Sequence, residues 1–187
     1  MLLTEAADRH GIRLSVLVAE TGLWASPEVH RRLMTENGMG VFFPNIRRCR
    51  TSKGEQRGER IDGIYLDDNS YANHAIKRAL GIPRENLIGF EACHIWPTTC
   101  YDERYHTAIA NLVLLPRALA GLTDHDKEIQ KALQYRAYQL YDRWRPDESP
   151  SPTEPTFYPS DWSEPLAFTD AVSRALSKRK LRGRSGE

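Results

Sequence analysis

Residues 90–126, FEACHIWPTTCYDERYHTAIANLVLLPRALAGLTDHD, decide how this chain is read. An apolar run ends near His94, and Asn111 opens a second apolar run, NLVLLP, at 111–116. His125 follows where a helix is expected to start. Strand, loop, strand and helix in that order bring a strand end, a loop and a first helical turn into one cleft. Two imidazoles and an amide in such a cleft suit the hydrolysis of a phosphodiester. That ester is anionic and repels hydroxide, so water must be deprotonated in place and the phosphate charge neutralised. Histidine accepts a proton near neutral pH. An asparagine can orient that base, pin its loop or offer a carbonyl oxygen to a metal.

On the N-terminal side, residues 4–37 read as short helices. Thr4 can cap TEAADRH, LSVLVAETG follows, and Ser26 with Pro27 opens SPEVHRRLMTEN, which Gly38 ends. Two β-like runs come next, GVFFPNIRRCR at 40–50 and ERIDGIYLDD at 59–68, joined by the polar TSKGEQRG. Helices followed by a hairpin with a basic tip follow the plan of a winged-helix DNA binder, although many α+β modules share it. NSYANHAIKRAL at 69–80 reads as a helix ended by Gly81, and LIGFEACHIW at 87–96 as a strand interrupted by Gly89.

On the C-terminal side, Thr123 is expected to cap one long helix, DHDKEIQKALQYRAYQLYDRW. Its apolar stripe is Ile129, Leu133, Leu140 and Trp144, with Ala132, Ala137 and Tyr141 beside it. The segment 145–165, RPDESPSPTEPTFYPSDWSEP, holds six prolines and reads as an extended strap. Phe157, Tyr158 and Trp162 suggest that it packs across the core. The expected division is a helix-and-hairpin module at 1–82, a catalytic core at 83–145, and a strap with a basic tail at 146–187.

A chain of 187 residues suits one compact domain, or a small catalytic module with an accessory one. Its 40% hydrophobic and 27% charged residues are those of an ordinary globular protein. A net charge of +1 says nothing about nucleic acid, but its distribution does. Arg47, Arg48, Arg50, Lys53, Arg57 and Arg60 face only Glu55 and Glu59, and a second basic cluster runs from Arg174 to Arg184. Such clusters suit a phosphate backbone, and solvated loops and a free tail are the plain alternative. Arg104 and Arg117 flank the hairpin, where each can clamp a phosphate or form a surface ion pair. Cys49, Cys93 and Cys100 show neither a disulfide framework nor a CxxC pair. With neither a signal peptide nor a membrane-length apolar run in view, a reducing cytoplasm is the expected setting.

Taken together, ACHIWP at 92–97, the asparagine-led NLVLLP and the helix start after it resemble the HNH, or ββα-metal, nuclease family, specifically members with an A-x-H-I-x-P core. The likeness covers roughly residues 87–140. It implies an α+β protein with a ββα-metal core, acting as a metal-dependent endonuclease on DNA. His94 would be the general base and Asn111 the support of the hairpin loop, with a divalent ion (Mg²⁺ or Mn²⁺, with Zn²⁺ as the softer option) held by His125. Two positions depart from the family's pattern. Its last histidine usually stands about eight or nine residues after the asparagine, where this chain has Leu119 and Ala120; His125 comes 14 residues on. The usual aspartate or histidine before the base is Cys93, which suits softer metals, with Glu91, Asp124 and Asp126 as substitute oxygen donors.

The resemblance also implies restriction or phage-defence roles. A double-strand break would need two active sites, which suggests a homodimer, whereas a nickase could act as a monomer. The readings left open are a DNA-binding protein with a structural or inactive HNH core, and a nuclease directed at RNA. His106 stands as a loop residue, a substrate contact or a further ligand.

Overall fold

The helix signals at Ser26, Pro27 and Gly38 convert directly into structure, whereas Thr4 falls inside its helix instead of capping it. The structure, a computed structural model, describes residues 3–47, 58–61 and 64–183. Helices α1 (Leu3–Arg9) and α2 (Leu14–Thr21) precede α3 (Pro27–Asn37). At α3 the Ser26 hydroxyl accepts from the Glu28 amide at 3.2 Å. Pro27 occupies the first turn, where its missing N–H costs nothing, and Gly38 at φ 70° ends the helix.

The two β-like runs do not pair with each other as a hairpin. Strands β1 (Asn45–Arg47), β2 (Arg60–Ile61) and β3 (Ile64–Asp67) form a sheet in the order β1-β3-β2. The antiparallel hairpin is β2–β3, inside the second run, while β1 lies parallel to β3 with Arg47 opposite Asp67. Apolar alternation reveals a strand but not the direction of its partner. Among the described residues, the two runs show no antiparallel hairpin of the kind the winged-helix plan expects. Arg48, Arg50, Lys53 and Arg57 of the basic tip lie outside the described residues.

A second sheet positions the site. Strand β4 (Phe90–His94) pairs antiparallel with β5 (Leu112–Pro116), placing His94 opposite Leu112 and Cys93 opposite Val113. The strand begins only after Gly89, whose φ of 86° suits glycine, and residues 84–87 form a 3-10 turn instead of its start. Leu112 to Leu115 are all buried, so β5 lies inside the core. On its other side the Leu23 amide and carbonyl exchange hydrogen bonds with Leu114. Helix α4 (Ser70–Leu80) closes the free side of β4. Asn73 Oδ1 accepts from the Ala92 amide at 3.0 Å, and Asn69 Nδ2 donates to the Ala92 carbonyl at 3.1 Å.

Beyond β5 the expected long helix is broken. Short helices α5 (Arg117–Ala120) and α6 (Leu122–His125) come first, then α7 (Lys127–Leu140). Asp126, not Thr123, is the cap of α7, its carboxylate accepting from the amides of Glu128 and Ile129. Thr123 lies within α6 and donates to the Ala120 carbonyl at 2.8 Å. Ile129, Ala132, Leu133 and Ala137 form the buried face of α7, and the hydroxyl of buried Tyr141 donates to the Ala25 carbonyl.

The strap crosses the core as expected. The Ser163 amide donates to Ala19 and the Leu166 amide to Trp24, while Trp162 meets Trp24 edge to face at 5.9 Å. The basic tail is largely helical: α8 (Asp170–Gly183) buries Val172 and Leu176 and packs on α4. The result is a mixed α+β structure with two small sheets. One apolar cluster draws residues from all three expected spans, from Val18 through Leu115 to Leu176.

Candidate active site

His94 ends β4, so its ring projects where the strand gives way to the loop 95–110. Asn111 holds both ends of that loop. Its carbonyl oxygen accepts from the Trp96 amide at 3.0 Å. Its amide donates to Thr99 Oγ1 and to the Tyr105 carbonyl, each at 2.9 Å. Its backbone carbonyl accepts from Ile95 at 2.9 Å. A fully buried asparagine so satisfied fixes the loop that carries His106 back toward His94.

His106 touches His94 twice. Its carbonyl lies 2.9 Å from His94 Nε2, and its own Nδ1 lies 3.2 Å from that same nitrogen, the two rings stacking with planes 18° apart. On the far side, His106 Nε2 lies 3.3 Å from Asp67 Oδ2. Asp67 ends β3, where it also accepts from the Ser70 hydroxyl and from the Tyr71 amide at 2.7 Å. The row Asp67–His106–His94 thus joins both sheets and the hairpin loop. It is deeply buried: Asp67 is 1%, His106 0% and His94 6% exposed.

Burial sets the charge states. It pushes His94 down to about 3, reinforced by the nearby His106 ring and Arg47, with the His106 carbonyl and Asp67 working the other way. At Asp67 burial acts to raise the carboxyl, but bonds from His106, Ser70 and the Tyr71 amide outweigh it and hold it far below the ordinary carboxylate range. His94 is therefore neutral and Asp67 ionised at neutral pH. His94 Nδ1 has no hydrogen-bond partner among the described residues.

The ligands expected for a divalent ion do not form a set. His125 and Asp124 are exposed at the end of α6, whereas Cys93 is buried. The Cys93 Sγ faces the carbonyls of Glu91 and Ala120 at 3.7 and 3.8 Å, and burial pushes its thiol up to about 12 against a hydrogen bond from Thr123. A buried, protonated thiol is a poor ligand for Mg²⁺ or Mn²⁺. Glu91 is turned to Arg117, 3.7 Å away. Among the described residues, no group of three or more histidine, cysteine or acidic side chains is placed to hold a metal. These residues do not fit a resident divalent cation.

The cationic candidates divide. Arg104 is held by Asp102 at 2.6 Å and Asp147 at 2.8 Å, and Arg117 forms the longer pair with Glu91. Arg47 stands in register with Asp67 and is close enough to bear on both His94 and Cys100. Asp67 is not distinguished in the sequence, and His106 admits several roles there. The visible signal at Asp67 is an acidic residue shortly before a helix, which reads as a turn. Its partner His106 lies 39 residues away, and no local pattern joins them.

Among the described residues, no helix is long and apolar enough to cross a membrane. Comparison with protein-family models, with curated proteins and with solved structures finds no match to this chain.

Proposed function

We propose that this chain is an HNH-type endonuclease with a ββα core, hydrolysing DNA phosphodiester bonds with His94 as the base that takes a proton from water. The observation that carries the proposal is the setting of His94. Its Nε2 is tied to the His106 carbonyl at the mouth of a hairpin locked by Asn111, which leaves the lone pair of Nδ1 for a proton. Burying three ionisable side chains in a row contributes less stability than apolar groups of similar shape. A row that ends on an unused acceptor suits chemistry better than packing. Arg47, in register with Asp67 and close to His94, would contact the phosphate. Because the described residues do not fit a resident metal, no step is assigned to one.

A second reading is favoured by a different observation. Cys93 lies against Ala120, the ninth residue after Asn111, so the positions where the HNH family commonly keeps ligands meet but carry a thiol and a methyl group. That fits a DNA-binding protein whose HNH core no longer cuts.

Cleavage of supercoiled plasmid separates the two. The full chain, with Mg²⁺, with Mn²⁺ and with chelator, is expected to nick or linearise DNA, and His94→Ala to lose on the order of 100-fold or more of the rate. Retention of DNA on a gel without cleavage, under every metal condition, would establish the second reading instead.

A further inference from the structure

The hydrogen bonds around His94 admit one arrangement of protons. A carbonyl oxygen only accepts, so His94 Nε2, 2.9 Å from the His106 carbonyl, carries the hydrogen. His106 Nδ1, 3.2 Å from that N–H, must then be bare, since two N–H groups cannot face each other. The hydrogen of neutral His106 therefore sits on Nε2 and points to the Asp67 carboxylate at 3.3 Å. Asp67 is itself fixed by the Ser70 hydroxyl and the Tyr71 amide at the start of α4.

We infer that Asp67 and His106 are positioning residues, which hold His94 in the tautomer whose lone pair is on Nδ1 and keep a carboxylate in line with it. The inference rests on the role proposed for His94. When Nδ1 takes a proton from water, the ring becomes an imidazolium in a buried place. Its Nε2–H, given to the His106 carbonyl, also faces the bare Nδ1 of a ring bonded to the Asp67 carboxylate, so the new positive charge is opposed without any proton leaving His106 or Asp67. The two residues come from different elements, a strand end and the hairpin loop. The row thus links the small three-stranded sheet to the base.

Nitrogen spectra of the full chain, labelled with ¹⁵N at histidine and recorded at neutral pH, test this directly. His94 and His106 are assigned from the signals lost in His94→Gln and His106→Gln. Both rings are expected to be neutral, protonated at Nε2 and bare at Nδ1. A hydrogen on Nδ1 of either ring in the folded parent would overturn the inference, whether or not the protein cuts DNA. The second arm is plasmid cleavage by Asp67→Asn, whose amide oxygen can still accept from Tyr71. Its kcat is expected to fall about tenfold or more with KM unchanged. A folded Asp67→Asn protein with parental kcat would remove the carboxylate from the scheme. If the parent fails to cut at all, the nuclease proposal falls while the spectra still decide the tautomers.

Discussion

Asn111 uses its carbonyl oxygen once and its amide twice, all within the loop that separates the two strands. Asn111→Ala leaves the Trp96 amide buried without its partner, at about 1–3 kcal/mol, while the Tyr105 carbonyl keeps the Ala108 amide. The expected loss is on the order of 2 kcal/mol, read as a lower urea midpoint, and the cleavage proposed for His94 should fall with it. A variant within a few tenths of the parent would mean that the loop holds itself. His94 and Asn111 were legible in the sequence because their meaning is local: an imidazole at a strand end, an amide at the next strand's start. The Asp67–His106 bond was not, because it spans a sheet and a loop brought together only by the fold. Cys93 and Ala120 were visible as departures from a pattern, but only the fold brings the Cys93 thiol to the Ala120 carbonyl.

Among the elements, α4 forms a seam with α8, which lies within what the sequence presents as a basic tail. Gly81 ends α4 at φ 68°, and a Cβ there would come within 2.7 Å of Val172 Cγ2 on α8. Gly38 ends α3 at φ 70° but has nothing within 4 Å of that position. Both Gly→Ala changes carry the left-handed backbone penalty, about 1–2 kcal/mol. Gly81→Ala adds overpacking against α8, about 1–3 kcal/mol more. Chemical denaturation should rank Gly81→Ala clearly below Gly38→Ala, and equal losses would count against the α8 docking described above. The tail's helix was hard to see because its lysines and arginines dominate the composition, while among its described side chains only Val172 and Leu176 are buried. The break before α7 was hidden for another reason: Thr123 and Asp126 are both competent caps three residues apart, and local chemistry does not choose between them.

At the scale of the molecule, the single core makes stability depend on acid through His30. This side chain is 3% exposed, touches Tyr141 and Trp144, and its Nδ1 has no hydrogen-bond partner among the described residues. Burial pushes it down to about 4, with Asp142 opposing the shift and Arg31 adding to it. The unfolded chain therefore binds this proton more readily than the folded one between roughly pH 6.5 and 4. The stability from neutral His30 is full above that window and lost as pH falls through it. Urea midpoints at pH 7.5 and 4.5 should show the parent losing on the order of 2 kcal/mol more than His30→Leu. His94 acts in the same direction in both proteins, so parallel losses would show that His30 is not the source. The strap carries a different consequence. Trp24 is fully buried and takes its cover from Trp162 and the Leu166 amide, residues that a ribosome makes long after it. The indole therefore lacks that part of its cover until the strap has been made, so the growing polypeptide presents an apolar surface to chaperones up to that point.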